Sequence, residues 1–299
     1  MNHKAEKNAE KINYTQEEYM DNLMKEKDIR MHTLRTKDSI AYLLNARTLD
    51  ILKPLLKKKN TWLTIGDYNG FEAKYLKEHN QLVTASDISS AFLNEAKSEG
   101  FIDDFRKENV ENISLKEDSI DYLSCREAFH HFPRAYLGVY EMIRVSKKGT
   151  ILIEPVDVLS KMPLLLLLKN VCDLFDPQLI NKIWKNRFSW ETVGNYVFKI
   201  SEREIEKIAM GINLPCIAFK EINFLMNIKD DTSEVPVNKK LLKKINRKYK
   251  KRNFLCRIRL IPYNTLCSII FKETPDEDTL QQLKKSKYKI IHLPPNPYI

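Results

Sequence analysis

The chain has 299 residues, 50 Lys plus Arg against 40 Asp plus Glu, a formal net charge of +10 and 43% hydrophobic residues. That length suits one large core with insertions or two small domains, and 10% aromatics exclude a wholly disordered chain. Seven glycines and no repeating period exclude collagen-like, solenoid and Gly-rich low-complexity architectures.

The N-terminus is polar and lacks the apolar stretch of a secretion signal. The longest apolar run, Met162 to Leu168, is broken by Pro163 and ends at Lys169, far short of the roughly 20 residues of a spanning helix. The expected location is the cytoplasm, with the inner face of the membrane as a peripheral station. Cys125, Cys172, Cys216, Cys256 and Cys267 are odd in number and widely spaced in mostly apolar surroundings. They read as reduced core thiols, with neither a disulfide framework nor a metal knuckle.

Residues 1 to 37 mix charges of both signs with thinly spaced apolar residues, the pattern of one or two exposed helices or an arm. From Ser39 to Leu56, apolar residues recur at helical spacing, and Lys57, Lys58 and Lys59 follow where cations complement a helix end. Alternation of strand and helix begins at Thr61. Expected strands are Thr61 to Ile65, Leu82 to Ser86, Ile120 to Cys125 and Thr150 to Glu154; expected helices are Phe71 to Glu78, Ser90 to Glu99 and Ala135 to Val145. Repeated units of this kind predict a doubly wound parallel α/β sheet. Between residues 156 and 200 the alternation breaks around an aromatic group, Trp184, Phe188, Trp190, Tyr196 and Phe198. A helix then starts at a capping box formed by Ser201 and Glu204 and ends near Gly211. Two further strands are expected at Cys216 to Phe224 and Tyr263 to Phe271. The resulting organisation is an N-terminal helical cap (1–58), a main domain (59–272) with insertions at 156–200 and 231–260, and a C-terminal helix and tail (273–299).

The most informative segment, Leu63-Thr64-Ile65-Gly66-Asp67-Tyr68-Asn69-Gly70, runs a strand into a Gly-containing turn and then a helix. The carboxyl end of a strand is where an open α/β sheet binds its ligand; a plain tight turn would look the same. It is not the G-x-G-x-x-G of dinucleotide sites, because Tyr68 and Phe71 stand at the later glycine positions. About 20 residues on, Leu82 to Ser86 leads into Asp87, placed to accept hydrogen bonds from both ribose hydroxyls or to cap the next helix.

Together with Asp118-Ser119-Ile120-Asp121-Tyr122-Leu123, Ala128-Phe129-His130-His131-Phe132-Pro133, Glu141 to Gly149 and Ile153-Glu154-Pro155, these residues resemble the class I S-adenosylmethionine-dependent methyltransferases. The likeness is greatest to the small-molecule group related to the ubiquinone-biosynthesis enzymes, strong over about residues 60 to 156 and looser over 200 to 272. It implies a Rossmann-like sheet of seven strands with N-terminal helices and lid-type insertions, and S-adenosyl-L-methionine as cofactor. It implies that Gly66 and Gly70, with Asp67 in the same turn, admit the methionine end and that Asp87, followed by Ile88, holds the ribose. Asn109 and Val110 match the pair at adenine, although Asn109 reads equally as a turn residue. Cys125 and Arg126 match positions beside the ribose and sulfonium. The sequence departs from the family at Thr64, normally an acid, and at Tyr68, normally glycine.

A sulfonium methyl is already activated, so such an enzyme aligns the acceptor and removes a proton where the acceptor is a hydroxyl. His131, His130, Glu154 and Glu127 are the titratable groups nearest the expected methyl position, with His131 the first choice of base because imidazole titrates near neutral pH. The leading expectation is methyl transfer to a hydroxyl oxygen of a small molecule or glycan, with no metal. Alternatives are an RNA methyltransferase and a non-catalytic binding protein on the same fold. The RNA reading draws on eleven basic residues between Lys239 and Arg259; without them the chain holds 39 basic residues against 40 acidic. Leu241, Leu242, Ile245 and Tyr249 share one stripe of that segment. It therefore reads as a basic amphipathic helix, for an anionic membrane surface or nucleic acid, or as a solvated helix docked by its stripe.

Overall fold

The computed structural model of the chain describes residues 3–158, 161–175, 189–224 and 237–298. The segment before the sheet consists of α1 (His3–Asn22), a 3-10 turn (Leu23–Glu26), α2 (Lys27–Arg35), α3 (Ile40–Leu49) and a 3-10 segment (Asp50–Leu55). The single helix expected over residues 39 to 56 is thus two elements. Ser39 caps α3 by accepting from the Tyr42 amide at 3.1 Å. Pro54, which has no amide hydrogen, sits in the tighter 3-10 segment that follows.

Next come β1 (Thr61–Ile65), α4 (Phe71–Glu78), β2 (Leu82–Asp87), α5 (Ala91–Ser98), β3 (Asp104–Lys107), β4 (Ile120–Arg126), α6 (Ala135–Val145) and β5 (Ser146–Pro155). After them stand α7 (Pro163–Phe175), α8 (Glu202–Gly211), β6 (Cys216–Ile222), α9 (Lys239–Arg257), β7 (Thr265–Phe271), α10 (Glu277–Lys285) and β8 (Lys289–His292). The capping box of Ser201 and Glu204 starts α8 as expected. No helix among the described residues is long and apolar enough to cross a membrane.

The strands form one sheet in the order β3-β2-β1-β4-β5-β7-β6-β8. Strands β1 to β5 pair in parallel, β7 runs antiparallel between β5 and β6, and β8 pairs antiparallel with β6. The sheet therefore has eight strands, where seven were expected. β8 is short and its ends are exposed, and the C-terminal segment joins the sheet through it. β3 was also unforeseen. As an edge strand it reads Asp-Phe-Arg-Lys with no buried residue, so it carries no apolar alternation.

Successive residues of β1 enter opposite layers. Trp62 packs with Phe71, Leu76, Phe92 and Leu283 on one face, whereas Leu63 packs with Leu123, Phe129, Val139 and Met142 on the other. The order reverses between β1 and β4, which opens a crevice at their carboxyl ends.

Residues 3–35 form helices, one of the two arrangements expected, and they dock on the sheet rather than standing away from it. Ala9, Met31 and Leu34 are buried, and α1 reaches across the carboxyl edge of the sheet. Asp21 of α1 accepts from the Ser89 hydroxyl at 2.5 Å after β2. Gln16 donates to the His131 carbonyl at 2.8 Å after β4, and Glu17 pairs with Lys107 at the end of β3. The mixed charges of α1 hid this role, because its contacts to the sheet edge are mostly polar.

The basic segment forms α9, whose Ile245 and Cys256 are buried. Arg252 donates to the Asn223 side chain at 2.7 Å, so the helix docks by its stripe and turns most of its cations outward.

Candidate active site

The turn after β1 is built around Asp67. Its carboxylate accepts from the amides of Glu72 at 3.1 Å and Ala73 at 2.8 Å, and from the Thr64 hydroxyl at 3.0 Å. The amides are the free donors at the start of α4, where a negative charge is favoured. Asp67 thereby brings negative charge to within a hydrogen bond of Thr64, the strand position that lacks an acid. Gly66 and Gly70 both have left-handed backbone, φ +68° and +76°. A Cβ on Gly66 would stand 2.4 Å from the Ala128 Cβ, so glycine there is required by the approach of the loop after β4. Tyr68 packs edge-on against Phe92 of α5, ring centroids 5.6 Å apart, and burial raises its phenol pKa against the pull of nearby Arg30 of α2. The second family glycine is therefore replaced by a ring pinned between α2 and α5.

At the end of β2, Asp87 is buried and accepts from the Ser89 amide at 3.0 Å. Burial pushes its carboxyl up to about 7, against the pull of the Ser89 and Ile88 amides. Ile88 is half-buried beside it. Asn109 uses its side-chain oxygen to accept from the Glu111 amide at 3.0 Å, the geometry of a turn residue. Val110 is buried beneath α6, where a Cβ on Gly138 would meet it at 3.1 Å. Cys125 is buried in the opposite layer, its sulfur 3.6 Å from Glu154, and burial raises its thiol well above the ordinary range. Arg126, its neighbour, turns into the crevice, where it donates to Asn45 of α3 at 3.0 Å and lies 4.0 Å from Glu72.

Glu72 was not foreseen. It is buried in the first turn of α4, and burial with the nearby Asp67 charge pushes it to about 7 while Arg126 pulls it down. Nothing in the sequence marks it, since an acid in a first turn is ordinarily a solvated one.

The histidine pair and Glu154 form a second cluster. Glu154 is fully buried. One oxygen accepts from the Ala128 and Phe129 amides at 2.9 and 3.0 Å, and the other lies 2.8 Å from His130 Nδ1. Both oxygens are thus committed to holding the loop after β4. Burial lowers the His130 pKa, but the hydrogen bond and charge of Glu154 outweigh it and the net shift is upward. His131 Nδ1 lies 2.7 Å from Glu191, a partner from the 156–200 insertion. Burial and the His130 charge leave His131 below its ordinary value. Glu191 belongs to a short hairpin in which Trp190 bridges to Tyr196. Asn195 donates to the His130 carbonyl at 3.0 Å, and Phe198 packs against Phe129 and Tyr136. The insertion therefore buttresses the histidine loop; Trp184 and Phe188 lie outside the described residues.

Glu127 stands between these clusters. It is the residue after β4, and it is held at φ +54°, a conformation costly for a residue with a Cβ. Its amide donates to the Ile153 carbonyl at 3.0 Å. No group among the described residues hydrogen-bonds its carboxylate, and burial with the Glu154 charge pushes it up to about 7.

Replacing Glu154 by Ala is expected to cost about 3–5 kcal/mol of unfolding free energy, because it strands the buried His130 ring and two amides; denaturant titration measures it. The share owed to His130 is present in full below its ordinary pKa and fades as pH rises through its raised folded value. The gap between wild type and variant therefore narrows at alkaline pH.

Residues 63–153 match the family of the methyltransferase domain. The match spans less than half of the chain. The match begins at β1 and ends within β5, and so contains the Asp67 turn, Asp87 and the Glu127 loop. No curated protein sequence matches the chain. Among solved structures, the chain is similar to an S-adenosylmethionine-dependent methyltransferase from Aquifex aeolicus (22% identity, 36% of this chain and 64% of that one, TM-score 0.33). It is similar to magnesium protoporphyrin IX methyltransferase from Synechocystis PCC 6803 with bound S-adenosylhomocysteine (14%, 87% and 99%, 0.48). It is also similar to a possible histamine N-methyltransferase from Thermotoga maritima (15%, 86% and 99%, 0.48). All three TM-scores are below 0.5, and no conclusion rests on these likenesses.

The groups around the crevice suit S-adenosylmethionine, the cofactor that the sequence resemblance implies. Asp87 is a buried acceptor with room for further donors of the kind that ribose hydroxyls offer. Arg30 Nε, Arg126 Nε and Glu72 Oε1 are buried without a hydrogen-bond partner. They provide both signs of charge that the carboxylate and ammonium of a methionine end require.

Proposed function

We propose that the chain transfers a methyl group from S-adenosylmethionine to a hydroxyl oxygen of a small molecule or glycan, with Glu127 as the general base. When bound, the cofactor supplies an activated sulfonium methyl. The observation that carries the reading is the Glu127 carboxylate, unpartnered, fixed by a strained backbone at the carboxyl end of β4, and poised at about 7. A hydroxyl acceptor must lose its proton as the new bond forms, and a base poised near working pH serves that step. Asp87 binds and orients, while α1 closes the crevice edge and keeps water out. His130 and Glu154 hold the Glu127 loop, and His131 is tied to Glu191.

The test is a panel of hydroxyl, amine and carboxylate acceptors with methyl-labelled cofactor. Label in an alkali-stable ether is expected; label only in amines or in RNA would overturn the hydroxyl assignment. A flat calorimetric trace with S-adenosylmethionine would support the binding-protein alternative instead.

A further inference from the structure

Away from the crevice, a cavity of ≈ 200 Å³ lies between α3, the end of β6 and the basic helix α9. Arg47, Thr48, Asp50, Lys220, Asn223 and Tyr249 line it. Arg47 reaches in from α3. Its only hydrogen bond among the described residues goes to the neutral oxygen of Asn246 at 2.9 Å, and its guanidinium stacks over the Tyr249 ring at 5.3 Å. Lys220 enters from β6. Its ammonium lies 5.4 Å from the Tyr288 ring centroid and has no carboxylate partner among the described residues. Among the described residues the one acid of the wall, Asp50, is already engaged by Lys53 at 2.7 Å and by the Tyr75 hydroxyl at 2.9 Å.

Among the described residues the cavity therefore holds two cations that no carboxylate pairs with, in space for several waters. Burying a cation is costly unless an anion pairs with it, and half-burial already lowers the Lys220 pKa. A guanidinium fixed by stacking presents its remaining donors in the fork that suits an oxyanion.

We propose that this cavity is a second binding site, one that takes a phosphate or phosphate-ester group between Arg47 and Lys220. It stands independently of methyl transfer, since α3 and β6 form it outside the matched domain. Free phosphate esters and the headgroup of an anionic lipid share this chemistry.

The full chain is titrated with inorganic phosphate and with glycerol 3-phosphate by calorimetry, and mixed with phosphatidylcholine vesicles with and without phosphatidic acid. Binding of inorganic phosphate is expected, weakened about tenfold by Lys220→Met and again by Arg47→Met. Lys250→Gln and Lys251→Gln, on the exposed face of α9, should leave it unchanged. Flotation with phosphatidic acid that is lost in Lys220→Met assigns a lipid headgroup, and binding confined to soluble phosphates assigns a free ester. Absence of any binding, or equal binding by the double variant, would overturn the site. In wild-type crystals grown with selenate, an anomalous peak between Arg47 and Lys220 is expected without recourse to variants; a peak only at other cations overturns the proposal.

Discussion

Asp87→Ala is expected to weaken S-adenosylmethionine binding on the order of 100-fold by calorimetry, because a hydrogen bond to a charged acceptor is worth roughly 1.5–3 kcal/mol and two ribose hydroxyls converge here. The variant should fold, because removing a buried carboxyl relieves its desolvation cost and leaves only the Ser89 and Ile88 amides without that acceptor. Burial places the Asp87 carboxyl at about 7, and only the ionised form accepts from both hydroxyls. Affinity should therefore rise with pH, by about tenfold from pH 6 to pH 8, and Asp87→Asn should flatten that rise. The effect on stability has the opposite sign. A carboxyl with its folded pKa raised binds more protons in the folded state, so stability declines as pH climbs from the unfolded value near 4 to about 7 and then levels. Glu72, also pushed to about 7, adds to this decline. A cofactor affinity independent of pH would show that Asp87 does not hold the ribose.

Glu127→Gln is expected to reduce turnover about 10²- to 10⁴-fold, the usual contribution of a general base, with cofactor affinity within about twofold of wild type. The pH profile is the more discriminating reading. In the wild type, turnover should fall below about pH 7 as Glu127 protonates, and the variant's residual rate should lack that limb. Glu127→Gly provides a control on the backbone: glycine adopts φ +54° without strain, so this variant should be at least as stable as wild type while sharing the loss of turnover. An active Glu127→Gly enzyme would return the role of base to His131, whose neighbour Glu191 then becomes the residue to replace.

The two acids differ in how much of their role was legible in the sequence. Asp87 announces itself, because a strand followed by an acid about 20 residues after a Gly-containing turn is a local pattern with a fixed geometric meaning. Glu127 does not, because its role comes from a left-handed backbone and from charges contributed by β5 and the histidine loop. The same contrast separates Gly66 from Glu154. Glycine after β1 was readable as a turn requirement, whereas the reason it must lack a Cβ, the Ala128 side chain, is set by a loop more than 60 residues away. Glu154 was readable as a titratable group near the site, but its bonds to two amides and His130 assign it to support.

The N-terminal helices show the limit most clearly. Periodicity detects apolar stripes, and α1 offers little of one; its role rests on Gln16, Glu17 and Asp21, polar side chains whose partners are the far ends of β2, β3 and the loop after β4. By itself, the sequence determined the alternation of strands and helices, the position of the Gly-containing turn and the acid that follows it, since these depend on residue periods of two and 3.6 and on short-range turn chemistry. The tertiary structure alone decided which carboxylates are committed and which stands free, how α1 covers the crevice, and that Arg47 and Lys220 share a cavity. Those properties depend on desolvation and on contacts between distant segments, which no local pattern records.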